Sequence, residues 1–242
     1  CQQSNRMKVQ RSLLVLGPAF LTALVLIFLF GVRPAGASNM QVSGELALPA
    51  GFSTGNQTLS LTGDWGFYWQ QLLTAEDFSR QAIKPDLLVQ VPSVWNAYQL
   101  DGRNLPGFGY ATYRLQVTGA DKDQPLSLYI DSASTAYRLF VDDQLLAQNG
   151  QVSSSPADAQ PYNQPRRITF RPVSDSFDIL IQVSNFTYAR GGLWYELYLG
   201  PPAALEKMLE LYTYKDAILL GGLLFLALYH LNLFILLHET VN

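Results

Sequence analysis

Seven residues between positions 95 and 194 have types suited to holding a small ligand: Trp95, Tyr110, Arg114, Arg138, Asn185, Arg190 and Trp194. A sugar offers an apolar ring face that packs on an aromatic side chain and a rim of hydroxyls that exchange hydrogen bonds. Aromatic rings beside Arg or Asn make a platform for it, and a few such groups suffice for a pocket. The seven stand where strand alternation turns a polar or aromatic side chain away from the presumed core. Trp95, after Val94 and a proline-marked turn, has a second reading as a core plug. Trp65, Phe67 and Trp69 alternate with Gly66 and Tyr68 and read as core filling, where large aromatics bury their area.

Catalytic chemistry finds no comparable set. Glycosidic cleavage needs two carboxyl groups at a set separation across the bond, and Glu45, Glu76 and Glu196 are scattered with no spacing that marks a pair. The two histidines, His230 and His238, fall in or just after a terminal apolar run, and Cys1 is the only cysteine. A Ser-His-Asp device is therefore excluded from the middle of the chain, together with a metal site built on histidine or cysteine. No cofactor is expected, and the expected role is binding without turnover.

The elements that must position these residues are strands. From Gln41 onward, short alternating runs are separated by Gly, Pro, Asn, Asp or Ser, the spacing of an all-β sandwich or barrel. Leu126, Leu128 and Ile130 share one face, as do Tyr137, Leu139 and Val141, and Phe177, Ile179, Ile181 and Val183. Leu193, Tyr195, Leu197 and Leu199 continue the series up to Gly200, where Pro201 and Pro202 deny a ladder its amide donors. In the stretch 105–117, Ala111, Tyr113, Leu115 and Val117 should enter the core, while Tyr110, Thr112, Arg114 and Gln116 face outward. Gly107 and Gly109 permit a close-approaching backbone just ahead, which would let Tyr110 and Arg114 face a groove.

Asp142-Asp143 predicts a hairpin turn. Thr74 to Gln81 predicts a short helix, with Thr74 as N-cap and Asp77 three positions on. Gln151 to Gln164, rich in Ser, Pro, Ala and Asn, predicts a long loop, open either to ligand contact or to a plain surface role.

The two ends differ from the middle. No charge occurs from Leu13 to Val32 or from Ala217 to Leu237, and both runs approach the ~20 apolar residues that cross a bilayer. Met7, Lys8 and Arg11 ahead of the first run, and Ala35-Gly36-Ala37 after it, read as an export signal or an uncleaved anchor. Either way the middle region emerges opposite the cytoplasm. Without Arg6, Lys8, Arg11 and Arg33 the remainder holds 12 basic against 19 acidic residues. Nucleic acid is thus not expected as a partner, since it needs a basic stripe and Arg166, Arg167 and Arg171 are three charges on one strand.

Four segments in order carry a resemblance: 61–69 (LTGDWGFYW), 89–95 (VQVPSVW), 107–114 (GFGYATYR) and 190–194 (RGGLW) with a closing Leu199-Gly200. Together they resemble a galactose-binding-like jelly roll, such as the sugar-binding domain of family-two glycoside hydrolases. With the apolar run 217–234 after them, they are more similar to the periplasmic sensor domain of bacterial seven-transmembrane receptors with diverse intracellular signalling modules. That resemblance implies an inner-membrane receptor fragment whose exported sandwich captures a small molecule, a carbohydrate by preference, and whose output domain would lie beyond Asn242. The expected divisions are a leader at 1–37, a linker at 38–57, the sandwich at 58–201, a connector at 202–215, a membrane helix at 216–238 and the start of a cytoplasmic loop at 239–242. The competing expectation is an interaction module that docks a periplasmic protein or pairs with itself as a homodimer.

Overall fold

The computed structural model describes residues 37–39 and 42–239, with side chains from 44 to 235. All of the expected leader at 1–37 except its last residue lies outside the described residues, as do 40–41 and the residues past 239. Strands come first in chain order: β1 (Ala37–Asn39), β2 (Val42–Ser43), β3 (Glu45–Ala47), β4 (Thr58–Ser60), β5 (Gly63–Trp69), β6 (Leu87–Val91), β7 (Ser93–Val94), β8 (Gln99–Leu100) and β9 (Arg103–Asn104). They continue with β10 (Gly109–Thr118), β11 (Leu126–Ile130), β12 (Ala136–Val141), β13 (Gln144–Asn149), β14 (Arg166–Phe170), β15 (Ser176–Asn185), β16 (Gly192–Leu193) and β17 (Leu197–Gly200). A short helix, α1 (Ala75–Arg80), follows β5, and a long one, α2 (Pro202–Glu239), follows β17.

The sandwich has two main sheets. One runs β1-β4-β17-β11-β14, and the other runs β13-β12-β15-β10-β5-β2, with β3 on β10 and β6 on β5. The central pair β10 and β15 is antiparallel over ten residues, from Gly109 opposite Asn185 to Thr118 opposite Ser176. Alternation decides which side chains enter. Ala111, Tyr113, Leu115 and Val117 are fully buried, as the spacing predicts, and meet Phe177, Ile179, Ile181 and Val183 from β15 and Leu139 from β12 in one core. Leu126, Leu128, Ile130, Leu197 and Leu199 close that core from the other sheet. Trp65 and Phe67 lie within it, and Trp69 packs on its edge.

Three local expectations hold. Val141 pairs with Gln144 across the turn Asp142-Asp143, where Asp142 has φ 52°. α1 is capped by Thr74, whose amide and hydroxyl both donate to the Asp77 carboxylate at 2.8 Å. These bonds hold the Asp77 carboxyl below its ordinary value, the amide of Thr74 contributing most. Residues 151–164 form the loop between β13 and β14.

Two expectations change. The stretch 38–57, read as a linker, supplies most of β1 and all of β2 and β3 and sends Leu46, Leu48 and Phe52 into the core, so the sandwich begins ahead of the expected position 58 and its unit runs on to Glu206. The alternation from Leu193 to Leu199 is not one strand. β16 pairs with β7 while β17 pairs with β4 and β11, and the chain crosses between them at Trp194 to Glu196. Tyr195 is consequently 50% exposed instead of buried.

The second compact unit contains the long helix from Lys207 onward. α2 has 34 residues, Pro202 to Ile235, in a run long and apolar enough to cross a membrane. Leu220, Leu224, Phe225, Leu231 and Phe234 are all more than half exposed, so apolar side chains surround the helix instead of forming one stripe. That is the pattern of a helix solvated by lipid or by other apolar helices.

Candidate ligand-binding cleft

A cleft of about 480 Å³ opens where three connections meet. Its lining comes from residues 132–135 ahead of β12, from 161–163 in the long loop, and from Tyr188, Trp194 and Tyr195. None of these lining side chains is charged at neutral pH. Tyr162, Tyr188, Trp194 and Tyr195 supply rings, while Ser132, Ser134, Thr135 and Asn163 supply hydroxyls and an amide.

Each wall is tied down. The long loop is pinned at its base by paired backbone bonds between Gln151 and Gln160, at 2.9 and 3.1 Å, and by Asn149 Nδ2 donating to the Gln164 carbonyl. The Tyr162 amide donates to the Thr135 carbonyl at 3.0 Å, joining that loop to the β12 entry. The Ser134 amide donates to the Gly192 carbonyl at 3.0 Å, joining the same entry to β16. Tyr188 meets Trp194 edge-on, 6.3 Å between centroids at 79°, a favoured aromatic geometry. Trp194 Nε1 is buried without an acceptor among the described residues.

Of the seven residues expected from the sequence, only Trp194 lines this cleft. Asn185 stands behind it, fully buried at the end of β15. Its Nδ2 donates to the Gly107 carbonyl (2.8 Å) and the Tyr188 carbonyl (2.7 Å), and its Oδ1 accepts from the Tyr188 amide (3.0 Å). Asn185 therefore shapes the loop that carries Tyr188. Arg190 is exposed at the end of that loop.

Trp95 takes its second reading. It is fully buried, donates from Nε1 to the Gly107 carbonyl at 3.1 Å and packs edge-on against Trp69 at 5.2 Å. Burial on all sides leaves no face for a ligand. Gly107 and Gly109 do allow close approach, but the approaching groups belong to the protein: a Cβ at Gly107 would strike the Ala189 carbonyl, and one at Gly109 the Trp69 ring.

Tyr110, Arg114 and Arg138 lie on the outer face of the larger sheet, not at the cleft. Part of that face is roofed by the segment leading into α1: the Leu73 amide donates to Thr112 Oγ1 (2.9 Å), Thr112 Oγ1 donates to the Gln71 carbonyl (2.8 Å), and Gln182 Nε2 donates to the Leu73 carbonyl (2.8 Å). Arg114 is enclosed there. It pairs with Asp178 at 2.8 Å and lies 4.5 Å over the Phe78 ring. Burial opposes its charge, but Asp178 and then Tyr68 outweigh burial and raise its pKa. The groove expected at Arg114 is thus occupied by the chain itself.

Tyr162, Tyr188 and Tyr195 were not among the sequence candidates. Tyr162 sits in the loop flagged for ligand contact, and Tyr195 is next to Trp194, but only the crossing from β16 to β17 turns Tyr195 outward. Among the described residues, no cluster of three His, Cys, Asp or Glu side chains could hold a metal ion. Core phenols Tyr98 and Tyr137 are pushed up to about 12 by burial.

No protein-family model matches the chain, and no curated protein matches it. Among solved structures it is similar to a β-glucuronidase from an uncultured Clostridium sp., at 14% identity over 60% of this chain and 29% of that one, TM-score 0.42. It is also similar to a GH2 β-galacturonidase from Eisenbergiella tayi, at 13% identity over 60% and 24%, TM-score 0.39. A third is the β-glucuronidase from Ruminococcus gnavus, at 11% identity over 66% and 30%, TM-score 0.43. The chain spans less than a third of the length of each of these proteins.

Proposed function

We propose that the chain is the ligand-capturing portion of a bacterial membrane receptor: its sandwich lies in the periplasm and takes a small carbohydrate in the cleft, and α2 passes occupancy into the inner membrane. The observation that carries this reading is the set of four aromatic residues around a cleft of about 480 Å³ with neutral hydroxyl and amide groups between them. Such a lining suits a polyhydroxylated ligand with apolar ring faces, and it holds no acid–base pair for turnover.

The route to the helix is short. Tyr195 on the cleft wall precedes β17 by two residues, and β17 leads through Pro201 into α2, whose first turns bury Ala204 and Leu205. A ligand moves such an element only by binding one of its arrangements better than another.

The test titrates the full chain in detergent with galactose, glucose and maltose while following tryptophan emission. Trp65 and Trp95 are fully buried, so a saturable change lost in Trp194→Phe supports capture in the cleft. Release of product from a glycoside by the chain would overturn the reading. A second reading, docking of a periplasmic protein, is favoured by the exposure of Tyr162, Tyr188 and Tyr195, at 55%, 60% and 50%. Absence of any saccharide response would favour it.

A further inference from the structure

The outer face of the larger sheet holds two arginines with opposite circumstances. Arg114 has an acid, a phenol and a ring around it. Arg138 has none of these. It is half-buried on β12 and, among the described residues, forms no ion pair; its Nε is buried without a partner there, and burial lowers its pKa.

Register places Arg138 directly opposite Gln182 of β15 and Gln148 of β13. Gln182 is 1% exposed; its Nε2 is engaged by the Leu73 carbonyl, but its Oε1 has no donor. Arg138 Nε and Gln182 Oε1, a donor and an acceptor each buried without a partner, thus belong to residues directly opposite each other on neighbouring strands. Phe140, two residues along β12, and the 47% exposed Leu145 opposite it give the open part an apolar floor.

We propose that the open outer face at Arg138 is a second binding site, separate from the aromatic cleft, for a small molecule bearing a carboxylate. Charge complementarity selects the occupant. A partly desolvated cation without an internal acid carries a cost, and an external carboxylate offsets it through a forked pair of hydrogen bonds that guanidinium matches in plane. The body of the molecule covers Phe140 and Leu145.

The experiment compares D-galacturonate with D-galactose, which differ by the carboxylate, on the full chain in detergent. It follows the arginine Nε–H resonance that disappears in Arg138→Gln. Galacturonate should move that resonance and galactose should not. Galacturonate affinity should fall at least tenfold in Arg138→Gln and less in Arg138→Lys, which keeps the charge but loses the fork. Ligand-free Arg138→Gln should melt no lower than the parent, since an unpartnered cation has been removed. The proposal is overturned if both sugars move the resonance equally, if galacturonate leaves it unmoved, or if the ligand-free variant melts several degrees lower, which would reveal an internal partner. The cleft is read separately by tryptophan emission, so either site can fail alone.

Discussion

Replacing Asn185 by Ala tests whether the cleft wall is built by the core behind it. Three of its hydrogen bonds are 3.0 Å or shorter, to the Gly107 carbonyl, the Tyr188 carbonyl and the Tyr188 amide. The Gly107 carbonyl keeps the Trp95 indole as a second donor, but both Tyr188 backbone groups lose their partner. At about 1 kcal/mol for each bond, with the extra cost of unsatisfied groups, the variant should lose about 3 kcal/mol, a large share of the ~5–15 kcal/mol that holds a domain. Urea unfolding followed by tryptophan emission measures this directly.

The same change frees Tyr188, so saccharide affinity at the cleft should fall as well. Asn185→Asp is a sharper probe. It places a carboxylate oxygen against two carbonyls, which must raise the carboxyl's folded pKa above its unfolded value near ~3.9. The protonated form is then the one the fold tolerates, so the defect should be greatest at neutral pH and shrink as pH falls through the folded pKa. An Ala variant within ~0.5 kcal/mol of the parent would refute the bracing role.

Arg114→Ala should cost about 2 kcal/mol by leaving Asp178 enclosed without its cation, while saccharide binding at the cleft is unchanged; unfolding and titration together separate the two effects. Gly191→Ala drives a Cβ into the Trp95 ring and should lower stability by about 1–3 kcal/mol, read from the thermal midpoint. Asp77→Ala should remove about 1 kcal/mol with the α1 cap. Because the folded Asp77 pKa is depressed, that contribution is present above the unfolded value near ~4 and is lost as pH falls below it, and an acid unfolding series compared with the variant shows the window.

The sequence by itself determined what is local. Period-two spacing placed Ala111, Tyr113, Leu115 and Val117 inward, Asp142-Asp143 made a hairpin, and Thr74 with Asp77 started a helix, because each depends on neighbours a few residues apart. The terminal apolar run likewise marked a helix able to span a membrane. Tertiary structure decided everything that joins distant segments. Arg114 meets Asp178 across 64 positions, and Asn185 reaches Gly107 across 78. Strand alternation shows which residues face outward but not which outward face the chain then covers, so the roof over Arg114 was illegible and the open ground at Arg138 equally so. The cleft arose where three loops converge and where the change of sheet between Leu193 and Leu197 turned Tyr195 out, since pairing partners, not spacing along one strand, set where a side chain points.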